Sequence, residues 1–328
     1  MTPAARYAAA MEVVDRIAEG RATEAALTTW ARSNRFAGSK DRAAVRDIVF
    51  DIVRRWRSTA HDGGGQSGRA RVRGLLRQRS EDPEAVFTGE GYAAPALSAE
   101  ERAVPGPADR ATALDLPDSL VAEAERSTGA RFGAVFEALR NRADVHLRVN
   151  TLRTDLAAAR ARLATEGIDT EPHPLCATAL RVLTNPRRVA QSGPYRDGWV
   201  ELQDAASQAV VAFADPPQTG RILDFCAGGG GKALALAAAV PSAEITAHDI
   251  APARMADIPA RAARAGARIT QVEPGKVHGP FDLVFADAPC SGSGAWRRSP
   301  DGKWQASPER LRDLNGMQDD VLSAAAPL

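Results

Sequence analysis

Four consecutive glycines, Gly228 to Gly231, separate an apolar segment from an alanine-rich one, and this arrangement restricts the fold more than any other feature. Residues 221–225 have the apolar character of a buried strand, whereas residues 233–239 have that of a helix. Three further strand patterns follow along the chain: 244–248, 267–272 and 281–286. Strands that alternate with helices and loops predict an α/β fold with a parallel, doubly wound sheet.

The chain upstream of this region has a different organisation. Residues 1–80 are predicted to form a helical domain, since residues 45–56 carry an unbroken apolar stripe at helical spacing. Residues 81–117 hold many acids, prolines and glycines, which predicts an acidic linker. Residues 118–203 begin as helix and then show short alternating strands, so they are predicted to be a small α+β segment. The α/β domain then occupies residues 204–328.

Charge is distributed unevenly along the chain. Residues 1–80 carry 16 basic and 8 acidic groups, whereas residues 81–130 carry 3 basic and 11 acidic groups. This asymmetry is typical of an RNA-facing module followed by a solvated linker, although one helical domain with differently charged faces explains it equally well.

Cysteine usage and hydropathy suggest where the protein resides. Cys176, Cys226 and Cys290 lie far apart and form neither a disulfide framework nor a zinc pattern, which suits a reducing cytosol. No apolar run approaches the roughly 20 residues of a membrane helix, and the N-terminus lacks a secretory h-region. We therefore expect a cytoplasmic protein without a membrane or metal partner.

The glycine loop has several possible ligands. A phosphate-binding P-loop is excluded, because Cys226 and Ala233 stand where it needs Gly and Ser or Thr. Gly228, Gly230 and Ala233, with Asp249 beyond them, formally meet a dinucleotide fingerprint. S-adenosylmethionine (SAM) would use the same geometry, with Asp224 ending the first strand. A tight turn without a ligand is a further alternative, and the loop alone leaves SAM and NAD open.

The loop after the fourth strand favours SAM. It reads Asp-Ala-Pro-Cys-Ser-Gly-Ser-Gly over residues 287–294, so it brings a carboxylate and a thiol to the carboxyl edge of the sheet. Carbon 5 of cytosine becomes nucleophilic once a thiolate adds to carbon 6, and Cys290 could supply that thiolate. Asp287 would then bond N3 and the exocyclic amine. The alternative for Cys290 is a small buried hydrophobe.

Five stretches resemble one known family, the Sun/Fmu (RsmB-like) ribosomal RNA cytosine-C5 methyltransferases. They are residues 147–152, 203–208, 223–232, 287–294 and 297–304. The resemblance implies a Rossmann-like methyltransferase fold, SAM as cofactor and 16S rRNA as substrate. A weaker match at residues 41–46 resembles the helical NusB-like RNA-binding domain of bacterial members. The implied SAM contacts are Cys226, Ala227, Gly228, Gly229, Gly230, Gly231, Lys232, Asp249 and Asp287.

The chain departs from the family in three places. Gly229 replaces the usual proline of the glycine loop, and Glu273 is a poor substitute for the usual aspartate after strand 3. The family uses two cysteines: the one matching Cys290 helps to release the product, and the attacking thiolate lies in a Thr-Cys-Ser motif after strand 5. The sequence ends before that motif, so we expect a fragment or truncated gene that binds SAM weakly and does not methylate. Attack by Cys290 itself is the alternative.

The residues after the Cys290 loop predict an RNA contact. Arg297, Arg298 and Lys303 alternate with Trp296 and Trp304, which suits phosphate contacts and base stacking on a splayed RNA strand. Tryptophans held in the core beside a solvated loop are the alternative. Two other functions remain open: a non-catalytic RNA-binding protein with a degenerate SAM domain, and an oxidoreductase supported only by the glycine pattern. Ribosomal RNA is the expected partner, and no obligate protein partner is inferred.

Overall fold

The computed structural model describes residues 1–328, which form two compact units. Unit 1 comprises Met1–Ala143 and Cys290–Asp313, and unit 2 comprises Asp144–Pro289 and Leu314–Leu328. The division falls between Pro289 and Cys290, inside the loop that follows the last strand. None of the helices combines the length and apolar character needed to cross a membrane.

The structure contains sixteen α-helices and eight strands. The helices are α1 (Pro3–Ala18), α2 (Thr23–Ser33), α3 (Ser39–Arg54), α4 (Trp56–Gly63), α5 (Gly68–Gln78), α6 (Ala99–Arg102), α7 (Arg110–Ala113), α8 (Val121–Thr128), α9 (Phe132–Leu139), α10 (Leu156–Thr165), α11 (Gly193–Arg196), α12 (Ala205–Phe213), α13 (Gly231–Ala239), α14 (Ile258–Ala265), α15 (Asp301–Trp304) and α16 (Pro308–Ala325). The strands are β1 (His146–Val149), β2 (Thr170–Pro172), β3 (Ala179–Val182), β4 (Val200–Leu202), β5 (Thr219–Asp224), β6 (Ser242–His248), β7 (Ile269–Val272) and β8 (Leu283–Phe285).

Unit 1 is built from helices around two apolar cores. The predicted stripe of α3 is buried, with Val45, Val49 and Ile52 fully inaccessible to solvent. They join a core formed mainly by α1, α2, α3 and α5. A second core contains Leu116, Phe132 and Trp296. Apolar burial of this kind supplies most of the helical stability, because isolated helices of these lengths are marginal in water.

The acidic segment 81–117 contains two four-residue helices, α6 and α7. Glu101 in α6 pairs with Arg69 at 2.8 Å and with Arg73 at 2.6 Å, both in α5. Hydrogen bonds from Arg69, chief among the causes, lower the pKa of the Glu101 carboxyl to about 2. Part of the segment therefore packs on the helices of unit 1 through its acids.

Unit 2 contains two four-stranded sheets. The sheet with the shorter strands overall is antiparallel, with the strand order β2-β3-β1-β4. Its apolar side packs on α10 through residues such as Leu147 and Leu163. The larger one is parallel with the order β7-β6-β5-β8. This arrangement confirms the predicted α/β, Rossmann-like fold. Because parallel strands end at the same edge, the loops after β5, β6 and β8 lie close together.

Candidate cofactor site

The glycine loop connects β5 to the first turn of α13. Gly228 and Gly230 adopt positive φ angles of 50° and 78°, which side chains other than glycine rarely tolerate. A Cβ atom on Gly230 would also lie 2.6 Å from Cγ1 of Ile258. Glycine is therefore required at these two positions, for backbone conformation at both and for packing against α14 at Gly230.

Asp249, directly after β6, fixes the conformation of the loop. Its side chain is 1% exposed and accepts hydrogen bonds from the backbone amides of Gly228 and Ala251, both at 2.9 Å. Arg254 pairs with it at 3.1 Å. Each carboxylate oxygen has further lone pairs, so Asp249 can still accept hydrogen bonds from a ligand.

Asp224, the last residue of β5, is fully buried, and neither of its carboxylate oxygens has a hydrogen-bond partner. Burial is the main cause that raises the pKa of this carboxyl to about 7, although Lys232 acts in the opposite direction. The Ala233 amide is close enough to lower the pKa slightly but makes no hydrogen bond of normal geometry. A buried polar group without a partner is costly, so this carboxylate is arranged to receive a donor from a ligand.

Lys232 and Asp287 form an ion pair between the first turn of α13 and the loop after β8. The Asp287 side chain is 53% exposed and the Lys232 side chain 18% exposed. Cys226 lies in the glycine loop after β5 and is half-buried; burial, followed by the nearby carboxylates, raises the pKa of its thiol. The structure therefore brings the predicted cofactor residues of unit 2 together at one edge of the sheet.

Sequence reasoning missed two residues that hold the start of α13. Arg148 in β1 donates from Nη1 to the Gly231 carbonyl at 2.7 Å, and Gln203 donates to the same oxygen at 3.2 Å. Arg148 is almost completely buried, which lowers the pKa of its guanidinium to about 10. Arg148 lies in one of the predicted alternating strands, and no contact was predicted for it. Arg148 and Gln203 lie in two of the family-like stretches, 147–152 and 203–208, and these were the sequence signals for the two residues.

A second support comes from α14. Arg261 donates to the Gly229 carbonyl and also pairs with Glu201 at 3.0 Å. Glu201 is buried and pairs with Arg264 as well. The glycine loop is thus held at its backbone carbonyls by the side chains of Arg148, Gln203 and Arg261.

Cys290 belongs to unit 1 and is exposed, whereas Asp287 belongs to unit 2. Unit 2 alone therefore assembles the predicted cofactor residues and Asp287, and the division between the units passes through the predicted catalytic loop. The catalytic role of Cys290 stays a prediction.

The four predicted RNA-binding residues differ in their surroundings. Arg298 is exposed. Arg297 donates to the carbonyls of Asn141 and Arg142, at 3.0 and 2.7 Å. Lys303 is 1% exposed, and its ammonium and the Trp304 indole both donate to backbone carbonyls of α3. In this structure Lys303 and Trp304 therefore hold the segment in place through α3. RNA binding by the four residues stays a prediction.

Replacing Gly230 with alanine is expected to destabilise the protein by about 2–3 kcal/mol, because a left-handed backbone and contact with Ile258 both oppose a Cβ atom. Gly229→Ala is the matched control, since a Cβ there meets only the end of the flexible Arg261 side chain, at 3.3 Å. Urea unfolding of the two variants measures the difference. Equal stability of Gly230→Ala and Gly229→Ala would contradict the steric argument.

Two family models match the chain. Residues 211–328 match the model described as 16S rRNA methyltransferase RsmB/F. Residues 116–190 match the RsmF/B-like ferredoxin-like domain. The first region contains the glycine loop and the Cys290 loop, and the second contains β1, β2 and β3 of the small sheet.

Curated relatives carry the same family name. Ribosomal RNA small subunit methyltransferase B from Yersinia pseudotuberculosis is 31% identical over 218 residues, covering 64% of this chain and 51% of the relative. The protein of the same name from Citrobacter koseri is 32% identical over 219 residues, with the same coverage. The chain spans about half the length of these relatives.

Two solved structures share the fold. The crystal structure of PH0851 matches with a TM-score of 0.74 and 18% identity, covering 100% of this chain and 84% of the other. A methyltransferase homolog protein from Pyrococcus horikoshii matches with a TM-score of 0.55 and 20% identity, covering 66% of this chain and 70% of the other. At these identities the likeness concerns the fold alone.

Proposed function

Because the chain belongs to the RsmB/F (Sun/Fmu) family of methyltransferases, we propose that it methylates carbon 5 of a cytosine in 16S ribosomal RNA. Family membership confirms the expected cofactor, SAM. The observation that carries the proposal is the buried, unpartnered carboxylate of Asp224 beside the glycine loop.

The charges of the site fit SAM better than NAD. Asp224, Asp249 and Asp287 approach one another closely enough for Asp249 and Asp287 to raise the pKa of Asp224. SAM carries an ammonium and a sulfonium group, which such carboxylates favour, whereas NAD would bring a negatively charged pyrophosphate. When bound, SAM supplies an electrophilic methyl group.

We assign the cofactor contacts as follows. Asp224 accepts from the ammonium group of SAM, because it is the buried acceptor without a partner. Asp249 accepts from the ribose hydroxyls with its remaining lone pairs. The start of α13, with Gly231 and Lys232, faces the carboxylate, since helix N-termini favour negative charge.

Residues of the loop after β8 bind the cytosine and take part in the reaction. Asp287 leaves its ion pair with Lys232 and, once it carries a proton, donates to N3 of the base and accepts from the exocyclic amine. A thiolate forms a bond to carbon 6 and so makes carbon 5 nucleophilic. Carbon 5 would then bond to the methyl group that SAM supplies, with the thioether of the cofactor as the leaving group. Loss of the carbon 5 proton to a base would finally expel the thiolate and restore the ring. In the family the cysteine matching Cys290 helps this release. Attack by Cys290 itself is the alternative, and its thiol would then supply the thiolate.

Calorimetric titration with SAM and with NAD tests the cofactor assignment. We expect heat from SAM binding and none from NAD. Binding of NAD without binding of SAM would overturn the proposed function.

Transfer of a radiolabelled methyl group to 16S rRNA tests the reaction separately from cofactor binding. Transfer by the 328-residue chain, lost in Cys290→Ser, would assign the attacking thiolate to Cys290. SAM binding without any transfer would support the expectation that a further cysteine segment is required. Methylation at a base other than cytosine would contradict the proposal.

A further inference from the structure

Helices α3 and α4 are separated by a single residue, Arg55, and this break leaves backbone groups without helical partners. The orphan amides are those of Arg57 and Ser58, and the orphan carbonyls are those of Val53 and Arg54. Side chains from two later segments of unit 1 pair with all four groups. The break is therefore a binding site for other parts of the chain.

Asp115 accepts hydrogen bonds from the two amides. Its Oδ1 accepts from the Arg57 and Ser58 amides at 3.0 and 2.8 Å, and its Oδ2 accepts from the Ser58 hydroxyl at 2.7 Å. Arg140 pairs with the same carboxylate at 2.9 Å. Asp115 is completely buried, so these contacts replace the water that it loses.

Two adjacent residues of the segment that follows Cys290 donate hydrogen bonds to the two carbonyls. The Trp304 indole Nε1 donates to Val53 at 2.7 Å, and the Lys303 Nζ donates to Arg54 at 2.8 Å. A cation at a helix C-terminus is favourable. Burial lowers the pKa of Lys303 to about 8, so its amine is still mostly protonated at neutral pH.

Arg54 links this contact to residues nearer to Cys290. Its carbonyl accepts from Lys303, and its Nε donates to the Arg297 carbonyl at 2.7 Å. The Arg54 side chain is 5% exposed and also pairs with Asp51 at 2.8 Å. Trp296, the neighbour of Arg297, is buried in the second core of unit 1. The segment from residue 296 to residue 304 is consequently held at both ends, and it starts six residues after Cys290.

We propose that Arg54, Lys303 and Trp304 are positioning residues for the Cys290 loop. Through them the helix break of unit 1 sets where the thiol of that loop lies, a role beyond the RNA binding expected of the helical domain. The importance of this placement for catalysis rests on the proposed function. The placement itself rests on hydrogen bonds within unit 1 alone.

Electron paramagnetic resonance of a nitroxide attached to Cys290 tests the proposal. Cys290 is the exposed cysteine, and replacing Cys176 and Cys226 with serine restricts the label to it. We expect the mobile fraction of the spectrum to rise at least about twofold in Lys303→Met and in Trp304→Phe, because each loses a hydrogen bond to the break. Trp304→Phe retains most of the ring packing, so it decides the outcome if Lys303→Met does not fold.

Val49→Ala is the matched control, because it removes buried volume from α3 without touching the break. We expect it to lower the melting temperature while the nitroxide spectrum stays unchanged. An unchanged spectrum in Trp304→Phe, or an equal rise in Val49→Ala, would overturn the proposal. The measurement uses neither SAM nor RNA, so it can succeed or fail independently of the proposed function.

Discussion

Asp249→Ala is expected to weaken SAM binding by about a hundredfold or more, because two hydrogen bonds to a charged carboxylate contribute about 1.5–3 kcal/mol each. The same change leaves the amides of Gly228 and Ala251 without an acceptor, so the glycine loop loses its conformation as well. Calorimetric titration with SAM measures the loss. An unchanged titration in Asp249→Ala would remove Asp249 from the site.

Two further variants make this test specific. Asp257→Ala removes a carboxylate from an exposed position in the same β6–α14 connection, and we expect it to bind SAM as the unaltered chain does. Asp249→Asn keeps one acceptor for the loop amides but loses the charge, so intermediate affinity is expected. Circular dichroism at the titration temperature establishes that each variant is folded.

Asp224→Asn is expected to stabilise the protein at pH 8 more than at pH 5, relative to the unaltered chain. The pKa of Asp224 is about 7 in the folded state against a reference of 3.8, so the folded state binds more protons than the unfolded state between these values. The free energy of unfolding therefore falls as pH rises through this window, by about 4 kcal/mol in total. Asparagine does not titrate, so this dependence disappears.

Urea unfolding of both proteins at pH 5, 6, 7 and 8 measures the effect of Asp224. The exposed change Asp257→Asn serves as the control, and its stability difference from the unaltered chain should not vary comparably over this range. A difference between Asp224→Asn and the unaltered chain that stays constant with pH would show that the Asp224 carboxyl is not held in its protonated form. The carboxylate would then be stabilised by a partner or by solvent in the folded chain and would not lack a hydrogen-bond donor.

The sequence was sufficient to predict the parallel sheet and most residues of the candidate cofactor site. Strand periodicity located β5 to β8 within a few residues, and parallel strands necessarily end at one edge. Asp224 ends β5, and Asp249 and Asp287 follow β6 and β8, so their proximity could be predicted from local patterns. The glycine run coincides with positive φ angles at Gly228 and Gly230, a conformation that favours glycine. The close approach of this backbone to a ligand stays a prediction.

Only the tertiary structure decided which charged side chains are buried and what they hold. Arg148 is separated by 83 residues from the Gly231 carbonyl that it supports, and Lys303 by 249 residues from Arg54. Neither the alternation of apolar and polar residues in a strand nor an Arg-rich motif shows whether a cationic side chain binds RNA or caps a helix. The physical reason is that the periodicity of apolar residues reports only local burial. Backbone groups left unpaired at a helix break or in a loop, in contrast, pair with any donor that folding brings near.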